Sequence, residues 1–384
     1  MVILSPLFKT IIFGEKIMRV YIGATRQNDG KTVVSLGLLA ALGKRVRSVG
    51  YIKPVGQQFL NIDGHKIDKD VVLMAKIYDL KDDLVDMSPV AVPRGFTENY
   101  INHPEQKVLR NKVIKRFRTV ARGKDIVIIE GTGHAGVGSV FDLSNAKVAK
   151  LCRSKVIMVC PGGVGRPIDE ILLNKALFDQ KDVNLLGVII NKVKQDKYDK
   201  VNSLVRKSLA THGIEVLGVI PFEPLLSTPT IGEIRQAIGG KLLSGEKRIG
   251  EQAGRYVIGA MPPSTAFDYF NQRYLLITPG NREDIILAAI SHSLADDGTE
   301  ILLTGIIITG GILPHKNILN LIRKTGFPLI AVNDDTYTTT SKITNLSFKI
   351  KPEDREKAVK IQAMVEKYVD VDKIFTLLQQ NKQP

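Results

Sequence analysis

The sequence predicts an α/β protein: a doubly wound, mostly parallel sheet domain followed by a second, smaller α/β domain. Three observations lead to this fold class. A glycine-bearing loop ending in Gly30-Lys31-Thr32 stands between a short apolar run and a stretch with helical spacing. Short apolar runs rich in β-branched residues alternate with helix-like segments, as in parallel sheets. Polar candidates follow the predicted strands, at the edge where open α/β sheets place ligands.

Length and composition are those of a multidomain globular protein. The chain has 384 residues, of which 44% are hydrophobic and 24% charged, so it can form two or three buried cores. No apolar run approaches the roughly 18 residues that a membrane span needs. Cys152 and Cys160 lie in apolar segments and support neither a disulfide framework nor a metal site, so we expect a reducing, cytoplasmic environment.

The formal net charge of +15 raises the question of a nucleic-acid partner. The basic residues are spread along the chain, and only residues 110–122 are locally rich in them. The spacing of Val113, Phe117 and Val120 predicts an amphipathic helix there, with the basic side chains on its solvated face. We therefore expect no nucleic acid as a partner, because a basic proteome or anionic nucleotide ligands explain the sign of the charge more simply. We expect no membrane partner either.

The loop between the first strand and the first helix is typical of phosphate-binding loops. Backbone N–H groups in such a loop point inward, and the helix N-terminus adds partial positive charge. Lys31 is expected to reach the β- and γ-phosphates, and the Thr32 hydroxyl to bind Mg²⁺. Thr25 stands where the standard spacing has glycine. The predicted nucleotide contacts here are Gly23, Thr25, Arg26, Asp29, Gly30, Lys31, Thr32 and Val33.

Further polar candidates follow later strands. Lys53 directly follows the predicted strand 46–52 and is either a ligand-binding lysine or a surface lysine beside a strand-terminating proline. Asp70, and less surely Asp68, either begins a helix as a cap or holds Mg²⁺ through water. Glu130 ends a buried strand and is followed by Gly131-Thr132-Gly133, so it can complete a Mg²⁺ shell. The predicted catalytic residues are Lys31, Lys53 and Glu130, and the predicted metal ligands are Thr32, Asp70 and Glu130.

Residues 18–222 resemble dethiobiotin synthetase and its relatives, among them cobyrinic acid amide synthetases and the amino-terminal part of long phosphate acetyltransferases. The motifs behind this resemblance are Gly23-x(6)-Gly30-Lys31-Thr32, Lys53-Pro54, Glu130-Gly131-Thr132-Gly133, Asn191 at a strand end, and Gly218 to Pro221. The resemblance implies ATP and Mg²⁺ as cofactors. It also implies that Asn191 reads the adenine and that Pro221 packs near the base. Residues 55–58 and 133–139 depart from what the diamino substrate would require.

The rest of the chain is expected to form a linker, a second domain and a tail. Residues 223–230 contain prolines and predict a linker. Residues 231–348 resemble the DRTGG regulatory domain through Arg282 and Thr309-Gly310-Gly311, with Asn281 in place of the aspartate. The resemblance implies a second small ligand. We expect residues 349–384 to form a helical tail on that domain or on a partner in a homodimer. Residues 1–17 are expected to be either a disordered extension or the result of a misassigned start.

Three functions are compatible with these patterns. The first is a nucleotide-responsive regulatory module of central metabolism, resembling the front of a phosphate acetyltransferase without its catalytic domain. The second is an ATP-dependent ligase, in which Lys31 and Mg²⁺ neutralise the transferred phosphate and Lys53 steadies a small carboxylate acceptor. The third is a partition-type ATPase, which would have a tail with a strongly basic face. Whether the protein is an enzyme stays open at this point.

Overall fold

The computed structural model describes residues 17–294, 302–345 and 350–380. The predicted extension at 1–17 lies outside these residues except for Ile17. The chain divides into two compact units, Met1–Glu223 with Ile350–Pro384, and Pro224–Lys349. The first unit is therefore discontinuous in sequence, because the second unit is inserted between its last strand and its terminal helices.

Among the described residues, ten strands belong to the first unit. They are β1 (Met18–Ala24), β2 (Val49–Ile52), β3 (Val55–Gly56), β4 (Phe59–Ile62), β5 (His65–Asp68), β6 (Val90–Ala91), β7 (Ile126–Glu130), β8 (Lys155–Pro161), β9 (Leu185–Val193) and β10 (Val216–Pro221). Six of them form a parallel sheet in the order β10-β9-β8-β1-β7-β2. Their apolar runs are buried on both faces, as parallel sheets require. The predicted doubly wound sheet is confirmed.

In the part of the chain that the structure describes, eight α-helices connect these strands. They are α1 (Lys31–Gly43), α2 (Lys69–Tyr78), α3 (Leu84–Met87), α4 (Phe96–Asn102), α5 (Gln106–Ala121), α6 (Asn145–Leu151), α7 (Arg166–Gln180) and α8 (Tyr198–Ala210). Helix α5 buries Val113, Phe117 and Val120 as its spacing predicts. The strand order makes β1 the neighbour of β7 and β8, so the ends of these three strands meet at one edge. That edge carries the candidate site.

The second unit has its own five-stranded sheet, as the prediction of a second α/β domain requires. Its strands are β11 (Lys241–Ser244), β12 (Arg255–Ile258), β13 (Tyr274–Pro279), β14 (Leu303–Thr309) and β15 (Leu329–Ala331), in the order β11-β15-β14-β13-β12. Strand β11 pairs antiparallel with β15, and the other pairs are parallel. Its helices are α9 (Pro224–Ser227), α10 (Ile231–Ile238), α11 (Pro263–Ala266), α12 (Glu283–Leu294), α13 (Lys316–Thr325) and α14 (Thr336–Thr344).

Two terminal helices, α15 (Arg355–Tyr368) and α16 (Val371–Gln379), complete the first unit. The tail was expected on the second domain or on a dimer partner; the structure places it in the first unit, and a contact with a dimer partner stays a prediction. Gln362 donates to the Tyr78 hydroxyl at 3.1 Å, and Lys155 Nζ donates to the Leu377 carbonyl at 2.6 Å. Gly37 of α1 is needed because a side chain there would overlap Val365. The tail is thus part of the packing around the helix that follows the phosphate loop.

The segment predicted as a linker, residues 223–230, also differs from expectation. It contains the short helix α9, and Thr230 caps α10 through a capping box with Glu233. Thr230 also forms a bridge with Gln252. These contacts make most of the segment part of the second unit. Among the helices of residues 17–294, 302–345 and 350–380, none is long and apolar enough to cross a membrane.

Candidate functional site

The phosphate loop covers residues 25–30, between β1 and α1. Gly23 lies inside β1, opposite Met158, so it is a strand residue and the predicted loop start is corrected by two residues. Asp29 holds the loop in shape, since it accepts from the Thr25 hydroxyl at 2.8 Å and from the Arg26 N–H at 2.7 Å. Thr25 replaces the expected glycine and supplies a hydrogen bond inside the loop. Burial raises the pKa of Asp29.

The end of the loop leaves several donors unused. Gly30 has φ 103°, a left-handed conformation that favours glycine, and it precedes α1 as its N-cap. Within the part of the chain that the structure describes, the N–H groups of residues 30–33 donate no backbone hydrogen bond. Four such N–H groups at a helix N-terminus form an anion-binding site. Val33 contributes only its N–H to this arrangement.

Lys31 is the cation beside these N–H groups. It is buried, with 8% of its surface exposed, yet none of the described residues pairs with its ammonium group. Burial lowers the pKa of Lys31 to about 8, although Glu130 acts in the opposite direction. A buried, unpaired ammonium is costly unless an anion joins it. The position of Lys31 therefore favours an anionic ligand.

Lys53 lies at the centre of a buried acidic cluster formed by Asp68, Asp70 and Glu130. Its ammonium group pairs with Asp70, lies 3.1 Å from Asp68 Oδ1, and lies 3.8 Å from Glu130 Oε1. Burial by itself would lower the pKa of Lys53, but the three carboxylates outweigh it and raise the pKa. Lys53 is thus not the surface lysine of the alternative interpretation. Asp68 caps α2 by accepting from the Asp70 N–H at 2.9 Å.

Glu130 connects the acidic cluster to the phosphate loop. Its Oε1 accepts from the Thr32 hydroxyl at 2.8 Å, and its Oε2 accepts from the Tyr51 hydroxyl at 2.9 Å. Burial raises the pKa of Glu130, and Lys53 opposes the shift. Tyr51 is a site residue that sequence reasoning missed. The signal was available, because Tyr51 and Lys53 are two residues apart in an extended segment and so share a face.

The predicted metal ligands come together in this cluster. Thr32, Asp70 and Glu130 present oxygen atoms, the donors that Mg²⁺ prefers. Three carboxylates face the single ammonium group of Lys53, and Asp68 Oδ2 is buried with no hydrogen-bond partner. This surplus of negative charge fits a divalent cation. Among the described residues, no group of three or more His, Cys, Asp or Glu side chains is arranged to hold a metal ion by itself.

Asn145 organises the loop that follows Glu130, and sequence reasoning missed it as well. Its amide nitrogen donates to the Thr132 and His134 carbonyls at 2.7 and 2.6 Å. Its amide oxygen accepts from the Thr132 N–H at 3.0 Å and from the Tyr21 hydroxyl at 2.6 Å. The Thr132 hydroxyl in turn donates to the Val55 carbonyl. No sequence pattern indicates that Asn145, at the start of α6, reaches this loop.

The remaining predicted contacts lie at the rim of the site. Arg26 pairs with Glu170 of α7 at 2.9 Å. Asn191 of β9 donates from its amide nitrogen to the Asp29 carbonyl at 2.8 Å. Pro221 ends β10 and is buried beside Val193. Asn191 is therefore next to the phosphate loop, and its contact with adenine, like that of Pro221 with the base, stays a prediction.

In the second unit, the residues behind the DRTGG resemblance fix the ends of strands. The Arg282 guanidinium donates to the carbonyls of Gly259 and Ala260 at 3.2 Å and of Met261 at 2.9 Å. The hydroxyls of Thr309 and Thr336 are 2.7 Å apart. These contacts give Arg282 and Thr309 a structural role at the carboxyl edge of the second sheet. The second small ligand stays a prediction.

Comparison with protein families agrees with this two-part arrangement. A family model described as an AAA domain matches residues 18–230. A second model, described as a DRTGG domain, matches residues 233–346 and confirms the predicted identity of the second domain. Each match falls mainly within one compact unit. A P-loop domain followed by a DRTGG domain is therefore the organisation of the chain.

Comparison with individual proteins identifies phosphate acetyltransferases as relatives. The protein from Nitratidesulfovibrio vulgaris is 28% identical over 369 residues, which cover 93% of this chain and 51% of the relative. The protein from Pseudomonas putida is 26% identical over 366 residues, with 91% and 50% coverage. The chain thus spans about half the length of these curated relatives. Among solved structures, the MinC:MinD cell division complex of Aquifex aeolicus matches with a TM-score of 0.35 and 17% identity over 54% of this chain and 83% of that chain.

Proposed function

This chain belongs to the AAA domain family through its match over residues 18–230, and we propose that its first unit binds ATP with Mg²⁺ as a nucleotide-responsive regulatory module. One observation carries the proposal. The buried ammonium group of Lys31 has no partner among the described residues and lies beside unused N–H groups at the start of α1. This arrangement supports a polyphosphate ligand, because a phosphate would satisfy both features at once.

The chain's own residues would divide the work of binding. The N–H groups of residues 30–33 would hold phosphate oxygens, and Lys31 would neutralise their charge. Thr32, Asp70 and Glu130 would hold Mg²⁺, which when bound screens the negative charge of the phosphates. Lys53 would keep the carboxylates of Asp70 and Glu130 in place through its ion pairs. The buried hydroxyl of Tyr51 would orient Glu130.

A regulatory role fits these contacts better than the ligase alternative. A ligase would use Lys53 to steady an acceptor carboxylate, but the three carboxylates of the acidic cluster already surround its ammonium group. The partition-type alternative would have a tail with a strongly basic face, whereas the exposed residues of α15 and α16 are mixed in sign and include Glu356, Glu366 and Asp372. We propose that nucleotide occupancy regulates an acetyl-transfer activity of the kind that the relatives' name states. The homodimer stays a prediction.

Calorimetry on wild type and Lys31→Ala tests nucleotide binding. We expect wild type to bind ATP more tightly with Mg²⁺ than with EDTA. Lys31→Ala should bind ATP about 100-fold more weakly than wild type, because it loses roughly two charge-assisted hydrogen bonds to phosphate. Lys31→Ala should fold normally, since Lys31 has no described partner. Lys200→Ala, the same change at an exposed position of α8, is the control. Wild type that binds no nucleotide would contradict the proposal, and turnover stimulated by a small carboxylate would favour the ligase.

The affinity for Mg·ATP should depend on pH through Lys31. Burial sets the pKa of Lys31 at about 8 in the free protein, and bound phosphate would raise it. Above pH 8 the free protein must therefore take up a proton when it binds, so affinity should fall by about tenfold between pH 7 and pH 9. Calorimetry in buffers of different ionisation enthalpy measures this uptake. Lys31→Ala should lose the dependence, and a flat profile in wild type would contradict the assignment.

A further inference from the structure

Two neighbouring side chains at the end of β9 hold the phosphate loop by its carbonyl groups. Asn191 Nδ2 donates to the Asp29 carbonyl at 2.8 Å, and Lys192 Nζ donates to the Asn28 carbonyl at 2.8 Å. More than 160 residues separate the two partners of each bond. We call Asn191 and Lys192 the carbonyl clamp. It gives a function to the Asn-Lys pair that the adenine prediction does not explain.

The carbonyl clamp sets the direction of the peptide groups in the loop. In a trans peptide the C=O and the N–H of the same peptide group point in opposite directions. The Asp29 carbonyl shares its peptide group with the Gly30 N–H, which donates no backbone hydrogen bond among the described residues. When Asn191 holds that carbonyl, the Gly30 N–H must face away from Asn191. Lys192 acts in the same way on the peptide group between Asn28 and Asp29.

The backbone conformation and the packing around Asn191 and Lys192 leave little space between the carbonyl clamp and the phosphate loop. Lys192 has φ 60° and Asn28 has φ 66°, both in the left-handed region that non-glycine residues rarely adopt. A side chain at Gly30 would overlap the amide nitrogen of Asn191. Asn191 is buried, and its amide oxygen accepts from the Lys192 N–H at 2.9 Å. The amide oxygen of Asn191 and one of its two N–H groups are therefore engaged within the chain.

We propose that Asn191 and Lys192 are positioning residues, which act on bound phosphate by fixing the direction of the loop N–H groups. This inference deepens the proposed function and rests on it. A base reader contributes to binding of a nucleoside, whereas the clamp contributes to binding of any polyphosphate that the loop holds. Inorganic tripolyphosphate, which has no base, separates the two roles.

The experiment compares ATP, GTP and tripolyphosphate, each with Mg²⁺, by calorimetry on the full chain. The variants are Lys192→Met and Asn191→Asp, which cannot donate to the loop carbonyls. We expect each to weaken ATP and tripolyphosphate alike, by about tenfold, which is the usual effect of losing one such bond from a charged or buried donor. Lys192→Arg retains a donor and should restore most of the affinity. Lys194→Met, the same change at an exposed neighbour, is the control.

Three other outcomes are possible, and each contradicts either the carbonyl clamp or the proposed function. If Asn191→Asp weakens ATP but leaves tripolyphosphate and the Lys192→Met variant unaffected, Asn191 reads the base and the clamp is refuted. If both variants bind all three ligands as wild type does, the clamp is equally refuted while nucleotide binding stands. If wild type binds neither ATP nor tripolyphosphate, the proposed function itself fails. Lys192 is exposed, so Lys192→Met is expected to fold and keeps the test decisive.

Discussion

Replacing Lys53 with methionine is expected to lower the free energy of unfolding of the first unit by about 3–5 kcal/mol at neutral pH. The reason is that Asp68, Asp70 and Glu130 would stay buried without their shared cation. Only 6% of the Lys53 side chain is exposed, so water cannot replace it. Urea denaturation of wild type and Lys53→Met measures the difference.

The loss should also depend on pH. Burial already holds the pKa of Glu130 above its usual value, with Lys53 opposing the shift, and removal of Lys53 would raise that pKa further. The folded variant then binds protons more tightly than the unfolded chain, so its stability rises as pH falls. We expect a smaller loss at pH 5 than at pH 8. A loss below about 1 kcal/mol, or one that does not change with pH, would contradict the electrostatic account.

Two variants serve as controls for the Lys53 prediction. Lys200→Met makes the same change at an exposed position of α8 and should leave the stability unchanged to within about 0.5 kcal/mol. Lys53→Met combined with Asp70→Asn removes one of the unpaired carboxylates. Because the two residues are in contact, their effects should not add, and the double variant should recover part of the loss.

Deleting residues 350–384 is expected to prevent stable folding of the first unit. The two terminal helices bury apolar side chains that belong to its core, namely Ala358, Ile361, Met364, Val365, Val369, Val371, Ile374 and Leu378. Each large apolar side chain contributes about 1.5–3 kcal/mol on burial. Their sum is comparable to the whole stability of a domain, about 5–15 kcal/mol. Thermal denaturation and hydrogen exchange of α1 measure the loss.

A pair of point variants tests the same packing in a chain that still folds. Val365 is fully buried against Gly37 of α1, whereas Val359 on the same helix is 65% exposed. Val365→Ala should cost about 2 kcal/mol through lost burial and a cavity. Val359→Ala should have almost no effect, because its side chain is mostly in water. Equal melting temperatures for the two variants, or a truncated chain as stable as the full one, would refute the assignment of the tail.

Several features of the site followed from local sequence patterns. The order of apolar run, glycine-bearing loop and helical spacing places Lys31 and Thr32 at a helix N-terminus, whatever surrounds them. Glu130 ends a run of four buried apolar residues, and the end of such a run marks the edge of a parallel sheet. Hydrophobic period and glycine conformation depend on neighbours in the chain, so a sequence reveals them directly. The doubly wound sheet and the phosphate loop were predictable for that reason.

The contacts between distant segments were decided only by the tertiary structure. Periodicity shows which face of an element is buried, but it does not identify the element packed against that face. The acidic cluster depends on β2 lying beside β7, and the carbonyl clamp depends on β9 reaching the loop after β1. The tail also has an apolar face, which packs against α1. No local sequence pattern predicts that contact. Strand order and helix docking are long-range choices, set by how all the buried faces fit together.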